Sequence, residues 1–84
     1  MKDEYILKIL FEMVYDCFGI DLPMINDKSS SRNSYYAVLS QRSINIICLI
    51  DSIENRYGPL SQDFYLKYDL RKLDDAVKLL SELE

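Results

Sequence analysis

Three segments of the chain repeat apolar residues at intervals of three and four, which is the spacing of one face of an α-helix. They cover residues 3–18, 43–57 and 69–83. Only two glycines and two prolines occur in 84 residues, so few helix breakers interrupt these patterns. We therefore predict an all-α protein, a small helical bundle in a single domain spanning residues 1–84.

The ends of these helices are marked by residues that close or begin a helix. Gly19 and Gly58 each follow an apolar repeat, and glycine readily adopts the left-handed conformation that ends a helix. Asp69 is a favourable N-cap for the last helix. Between the second and last helices, SQDFYLKY at residues 61–68 predicts one or two helical turns.

Residues 20–40 predict a long loop between the first two main helices. The polar stretch DKSSSRNS lies in it, and Pro23 disfavours helix at the preceding residue. YYAVL at residues 35–39 predicts one short helical turn. Four apolar residues are expected to hold the loop against the bundle: Ile20, Leu22, Met24 and Ile25. The expected fold is thus three main helices, a short helical turn after the second, and this loop.

The charge and hydropathy of the chain exclude two classes of partner. Ten basic and fourteen acidic residues give a net charge of −4, without the basic surface that nucleic acid requires. The most apolar N-terminal run, residues 5–18, is interrupted by charged side chains and is too short for a membrane helix. It also lacks a signal-peptide cleavage site. We expect a monomeric cytoplasmic protein that binds neither nucleic acid nor membrane.

The residues usually found in active sites are scarce. The chain has no histidine, so a zinc site, a Cys–His nucleophile and a Ser-His-Asp arrangement are not expected. Cys17 and Cys48 are far apart in sequence, and a disulfide between them is not expected in a reducing compartment. The acidic pair Asp74–Asp75 is interpreted as solvated helix surface. We predict no catalytic residue, no metal site and no enzymatic activity.

The segment 43–57 carries apolar residues beyond those needed for a core. One helical face is formed by Ile46, Leu49, Ile50, Ile53 and Tyr57. Ile44 and Ile47 lie off this face, on a flank shared with Asp51 and Glu54. An apolar pair bordered by acids suits a docking surface, in which apolar burial contributes affinity and charge contributes orientation. The alternative is that the 20–40 loop folds over the two isoleucines.

The stretch RSINIICLIDSIENRYG, residues 42–58, resembles the second helix of acyl carrier proteins and peptidyl carrier domains. The family motif is Gly-x-Asp-Ser-Leu, followed by an apolar helix that ends in Leu-Glu-x-x-Phe-Gly. Ser43 falls on the serine, Ile44 on the leucine and IENRYG on the helix end. Upstream, ILKILFEMVYDCFGID resembles the first helix of the family, and downstream DLRKLDDAVKLL resembles the last. The resemblance covers nearly the whole chain in the family's order.

The resemblance implies a cofactor, a function and partners. In the family the serine carries 4′-phosphopantetheine, whose thiol holds an acyl, aminoacyl or peptidyl group as a thioester. Ser43 would be the attachment site of a non-catalytic, acyl-carrier-like protein. Its partners would be a phosphopantetheinyl transferase and the acyl- or aminoacyl-processing enzymes of a biosynthetic or peptide-tailoring pathway. The implied partner-binding residues are Arg42, Ile44, Ile47, Asp51 and Glu54.

Two positions depart from the family motif: Ser40 replaces its glycine and Arg42 its aspartate. Other interpretations therefore stay open. Ser43 could act only as a helix N-cap, a position that serine favours, and the two roles are compatible. The chain could also be a carrier-like protein-interaction module that has lost the prosthetic group, or a small acidic inhibitor or immunity protein.

Overall fold

The computed structural model describes residues 2–22 and 28–84. Within them the chain forms helices and no strand, which confirms the all-α prediction. No helix in this part of the chain combines the length and the apolar character of a membrane span. The five described helices are α1 (Lys2–Phe18), α2 (Lys28–Gln41), α3 (Ser43–Tyr57), α4 (Gln62–Leu66) and α5 (Leu73–Leu83).

The four longer helices pack around one apolar core. Both α3 and α5 contact α1, and both also contact α2, so the two helices lie between α1 and α2. The core is formed by side chains of all four and by residues next to them in the chain. The short helix α4 packs partly buried aromatic side chains against the core, among them Phe64 and Tyr65.

Helix α1 follows the predicted pattern closely. Its buried face contains apolar residues spaced three and four apart, as the repeat over residues 3–18 predicts: Ile6, Ile9, Leu10, Met13 and Val14. Phe11 beside them is also buried. The helix ends at Gly19, which has a φ of 68°, and whose N–H donates to the Tyr15 carbonyl at 2.7 Å. A residue with a Cβ would be strained at this φ, which agrees with the prediction that a glycine ends the helix here.

The prediction of a loop over residues 20–40 is wrong from residue 28 onward, because residues 28–41 form helix α2. Ser31, Tyr35 and Leu39 lie four residues apart and are all buried, so they form one stripe along the helix. The serine-rich first half hides this pattern in the sequence. Packing of the stripe on α3 and α5 outweighs the modest helix propensity of serine.

The segment before α2 agrees with the prediction in part. Leu22 is buried in the core, as expected for a residue that holds the connection against the bundle. Ile20 is partly exposed instead. Met24 and Ile25 lie outside the described residues.

Helix α3 has the predicted bounds, Ser43–Tyr57. Leu49 and Ile53 are fully buried, while the other residues of the predicted face are partly buried against the core. The Gly58 N–H donates to the Glu54 carbonyl at 2.8 Å and ends the helix as predicted. Helix α4 starts after Ser61, whose hydroxyl accepts from the Phe64 N–H, and it forms the short turn expected in residues 61–68.

The last helix begins later than predicted, because Asp69 does not cap it. Helix α5 starts at Leu73, with Lys72 at the N-cap position. Asp69 instead closes a turn, in which its carboxylate accepts from the Arg71 N–H at 3.1 Å and its carbonyl from the Lys72 N–H at 2.9 Å. The Arg71 guanidinium also binds this carboxylate and lowers the pKa of Asp69. An aspartate, although a common N-cap residue, can therefore belong to the turn that precedes the helix.

Candidate functional site

Ser43 lies at the corner where α2 ends and α3 begins. The two helices are separated by Arg42 alone, whose extended backbone, with φ −144° and ψ 141°, turns the chain. The Asn45 side-chain amide donates to the Val38 carbonyl at 2.9 Å. Carbonyls in the last turn of a helix lack helical partners, so this bond fastens the end of α2 to the start of α3. The corner holds Ser43 as the first residue of α3.

Ser43 is not the N-cap of its helix, so the interpretation of it as a cap is wrong. The N-cap position belongs to Arg42, whose side chain makes no capping hydrogen bond with the described part of the chain. Ser43 occupies the next position and is exposed to solvent. Its position at an exposed helix end leaves its hydroxyl available for a reaction.

The start of α3 is an electropositive end of a helix. Its first-turn N–H groups and the helix dipole place partial positive charge there. The first turn of α3 contains no acidic residue, and Arg42 adds a full positive charge beside Ser43. This helix end therefore favours an anion attached at the position of Ser43.

An exposed strip of two isoleucines and one acid follows Ser43 along α3. The exposed fractions of Ile44 and Ile47 are 51% and 53%, and the two residues lie one helical turn apart. Asp51 continues the strip four residues further and is also exposed. The alternative, in which residues 20–40 cover the two isoleucines, is wrong for the described part of that segment, residues 20–22 and 28–40, since each isoleucine keeps half of its surface exposed.

Glu54, the second acid predicted on this flank, has a structural contact. One oxygen of its carboxylate accepts from the Tyr65 hydroxyl at 3.0 Å and from the Leu60 N–H at 3.3 Å. Burial and this bond to Glu54 raise the pKa of Tyr65. Glu54 thus joins α3 to α4, whereas the exposed Asp51 can face a partner.

We expect Glu54→Ala to lower the free energy of unfolding by about 1–2 kcal/mol, because the Tyr65 hydroxyl and the Leu60 N–H lose their acceptor. The matched control is Asp51→Ala, which removes an exposed carboxylate and should change stability by less than about 0.5 kcal/mol. Urea unfolding followed by circular dichroism measures both. Equal effects of the two substitutions would show that Glu54 does not stabilise the α3–α4 contact.

Two features near α3 were missed in the sequence. In the sequence, Asn45 is only a polar residue in the first turn of a predicted helix. Its hydrogen bond to the Val38 carbonyl depends on where α2 lies. Cys17 and Cys48 are distant in sequence, yet the Cys17 thiol donates to the Cys48 carbonyl at 3.3 Å. One hint of the second contact exists in the sequence, since Cys17 lies three residues after Val14 and so continues the apolar repeat of residues 3–18.

The chain matches no protein-family model, no curated protein and no solved structure.

Proposed function

We propose that this chain is an acyl-carrier-like protein that holds an acyl, aminoacyl or peptidyl group as a thioester on 4′-phosphopantetheine attached to Ser43. One observation carries the proposal: Ser43 is an exposed serine at the first position of a helix whose first turn contains no acid. The sequence resemblance points to the same serine.

The local charge supports a phosphodiester at this position. The first-turn N–H groups of α3 and the positive end of its dipole stabilise an anion on the Ser43 oxygen. Arg42 adds a cation next to it in the chain. The prosthetic group would supply the thiol that forms the thioester, and this chain would supply the attachment oxygen and its electrostatic environment.

The exposed strip formed by Ile44, Ile47 and Asp51 supports docking of partner enzymes beside Ser43. Burial of the two half-exposed isoleucines would contribute affinity, and Asp51 would orient a partner that carries a complementary basic residue. Glu54 would contribute mainly by holding α4 in place. In this proposal the protein is a non-catalytic carrier that brings its cargo to a transferase and to acyl- or aminoacyl-processing enzymes.

Intact mass spectrometry tests the attachment after co-expression with broad-specificity phosphopantetheinyl transferases. The chain is expected to gain about 340 Da, the mass of one phosphopantetheine group, and Ser43→Ala should abolish the gain. Ser40→Ala is the matched control, since it removes an exposed serine of α2 three residues away and should leave the gain intact. An unchanged mass across several transferases contradicts the proposal.

A second candidate function is a carrier-like protein-interaction module without the prosthetic group. Arg42 favours it, because the resemblance implies an acid at this position and the chain presents the opposite charge. In that case Ser43 stays unmodified and Ile44 and Ile47 form the binding surface. The mass measurement distinguishes the two functions.

A further inference from the structure

Two cysteines from different helices meet at the interface of α1 and α3. The Cys17 sulfur lies 3.3 Å from the Cys48 carbonyl oxygen and 3.2 Å from the Ser52 hydroxyl oxygen. Cys48 and Ser52 are four residues apart, so their side chains leave α3 on the same face. The Cys17 thiol therefore rests on the face of α3 from which the Cys48 side chain projects.

The Cys17 thiol also affects the protonation of Cys48. Its proximity is the largest cause that raises the pKa of Cys48 to about 11, and burial adds to it. Both cysteines are free thiols, and each is only partly buried. The pair thus combines close approach with partial exposure.

We propose that Cys17 and Cys48 form a redox-modification site, at which a low-molecular-weight disulfide such as oxidised glutathione converts the thiol pair into a disulfide joining α1 to α3. The thiolate of one cysteine attacks a sulfur of the small disulfide, and one glutathione thiolate leaves. The thiolate of the other cysteine then attacks the protein sulfur of the mixed disulfide and releases the second glutathione. Two protein thiols are oxidised and two glutathione thiols are formed.

The disulfide would restrain a large part of the chain. Cys17 and Cys48 are 31 positions apart, and the segment between them includes the whole of α2. Closing such a loop lowers the conformational entropy of the unfolded chain and stabilises the folded state. It would also fix α3 against α1 at the residue next to the exposed Ile47. The site does not involve Ser43, so this inference goes beyond the carrier function and does not depend on it.

The test treats the reduced 84-residue chain with oxidised glutathione at about pH 8.5, where more thiolate forms than at neutral pH. We expect the mass to fall by about 2 Da, both free thiols to disappear and peptide mapping to find Cys17 linked to Cys48. The melting temperature should rise by about 10 °C and return after treatment with dithiothreitol.

Single variants control for external modification. Cys17→Ser and Cys48→Ser should each gain about 305 Da from one mixed disulfide, without the rise in melting temperature. Ser43→Ala should form the internal disulfide like the original chain, which separates this result from any failure of cofactor attachment. Glutathione addition or a covalent dimer in place of the internal link would overturn the proposal.

Discussion

Tyr35→Ala is expected to lower the free energy of unfolding by about 3–5 kcal/mol, the usual cost of removing a buried aromatic side chain. Tyr35 has an exposed fraction of 0% and is the largest fully buried side chain of the described core. A domain of this size has only a few kcal/mol of stability, so the variant should be largely unfolded at 37 °C. Circular dichroism during thermal and urea unfolding measures the loss.

Tyr35→Phe separates the hydroxyl from the ring. The Tyr35 hydroxyl donates to the Leu70 carbonyl at 2.6 Å and so connects α2 to the turn before α5. Phenylalanine keeps the ring in the core but leaves that carbonyl without this donor, and we expect a cost of about 1–2 kcal/mol. A loss in Tyr35→Ala no larger than in Tyr35→Phe would show that the ring does not stabilise the core.

The original chain and Tyr35→Phe should also differ in how their stability changes in alkaline solution. Burial, and to a smaller extent the charge of Asp69, raise the pKa of Tyr35 above its ordinary value of 10.0. The folded protein thus keeps a proton that the unfolded chain loses, so its stability falls as the pH rises above about 10. Removing the hydroxyl in Tyr35→Phe should make this decrease shallower in urea unfolding between about pH 9 and 11.

Arg42→Asp is expected to increase the rate of Ser43 modification by a broad-specificity transferase at least about tenfold. The resemblance implies a transferase surface that accommodates an acid before the serine. On such a surface the positively charged Arg42 guanidinium would be unfavourable. Unfavourable charge pairs at an interface cost several kcal/mol, and about 1.4 kcal/mol is a factor of ten. The loss of an exposed cation beside the phosphodiester is a smaller effect. The fraction of modified protein over time, from intact mass, measures the rate.

The control for Arg42→Asp is Lys78→Asp, which changes the net charge equally on an exposed residue of α5. Equal rate increases would assign the effect to overall charge and would contradict a specific role of residue 42. Arg42→Asp has a second expected result: aspartate is a better N-cap than arginine and complements the helix dipole, so stability should rise by about 0.5–1 kcal/mol.

The sequence by itself determined α1 and α3. Both have apolar residues at helical spacing and end at a glycine. Because these two signals are local, they predict the bounds and the buried faces of the helices without any tertiary contact. The position of Ser43 at the start of α3 followed from the same pattern. Its attachment role came from the family resemblance and remains a prediction.

Only the tertiary structure decided what depends on distant residues. The stripe of α2 includes a buried serine, and a serine-rich segment becomes a helix here because α3 and α5 cover one of its faces. In the sequence, nothing distinguishes Glu54 from the other acids of its helix. Its structural role depends on α4, which places the Tyr65 hydroxyl within hydrogen-bond distance of its carboxylate. Likewise, Cys17 and Cys48 become neighbours only when α1 packs on α3. Periodicity reports which face of a helix is buried, whereas the partner of that face is set by packing between segments far apart in the chain.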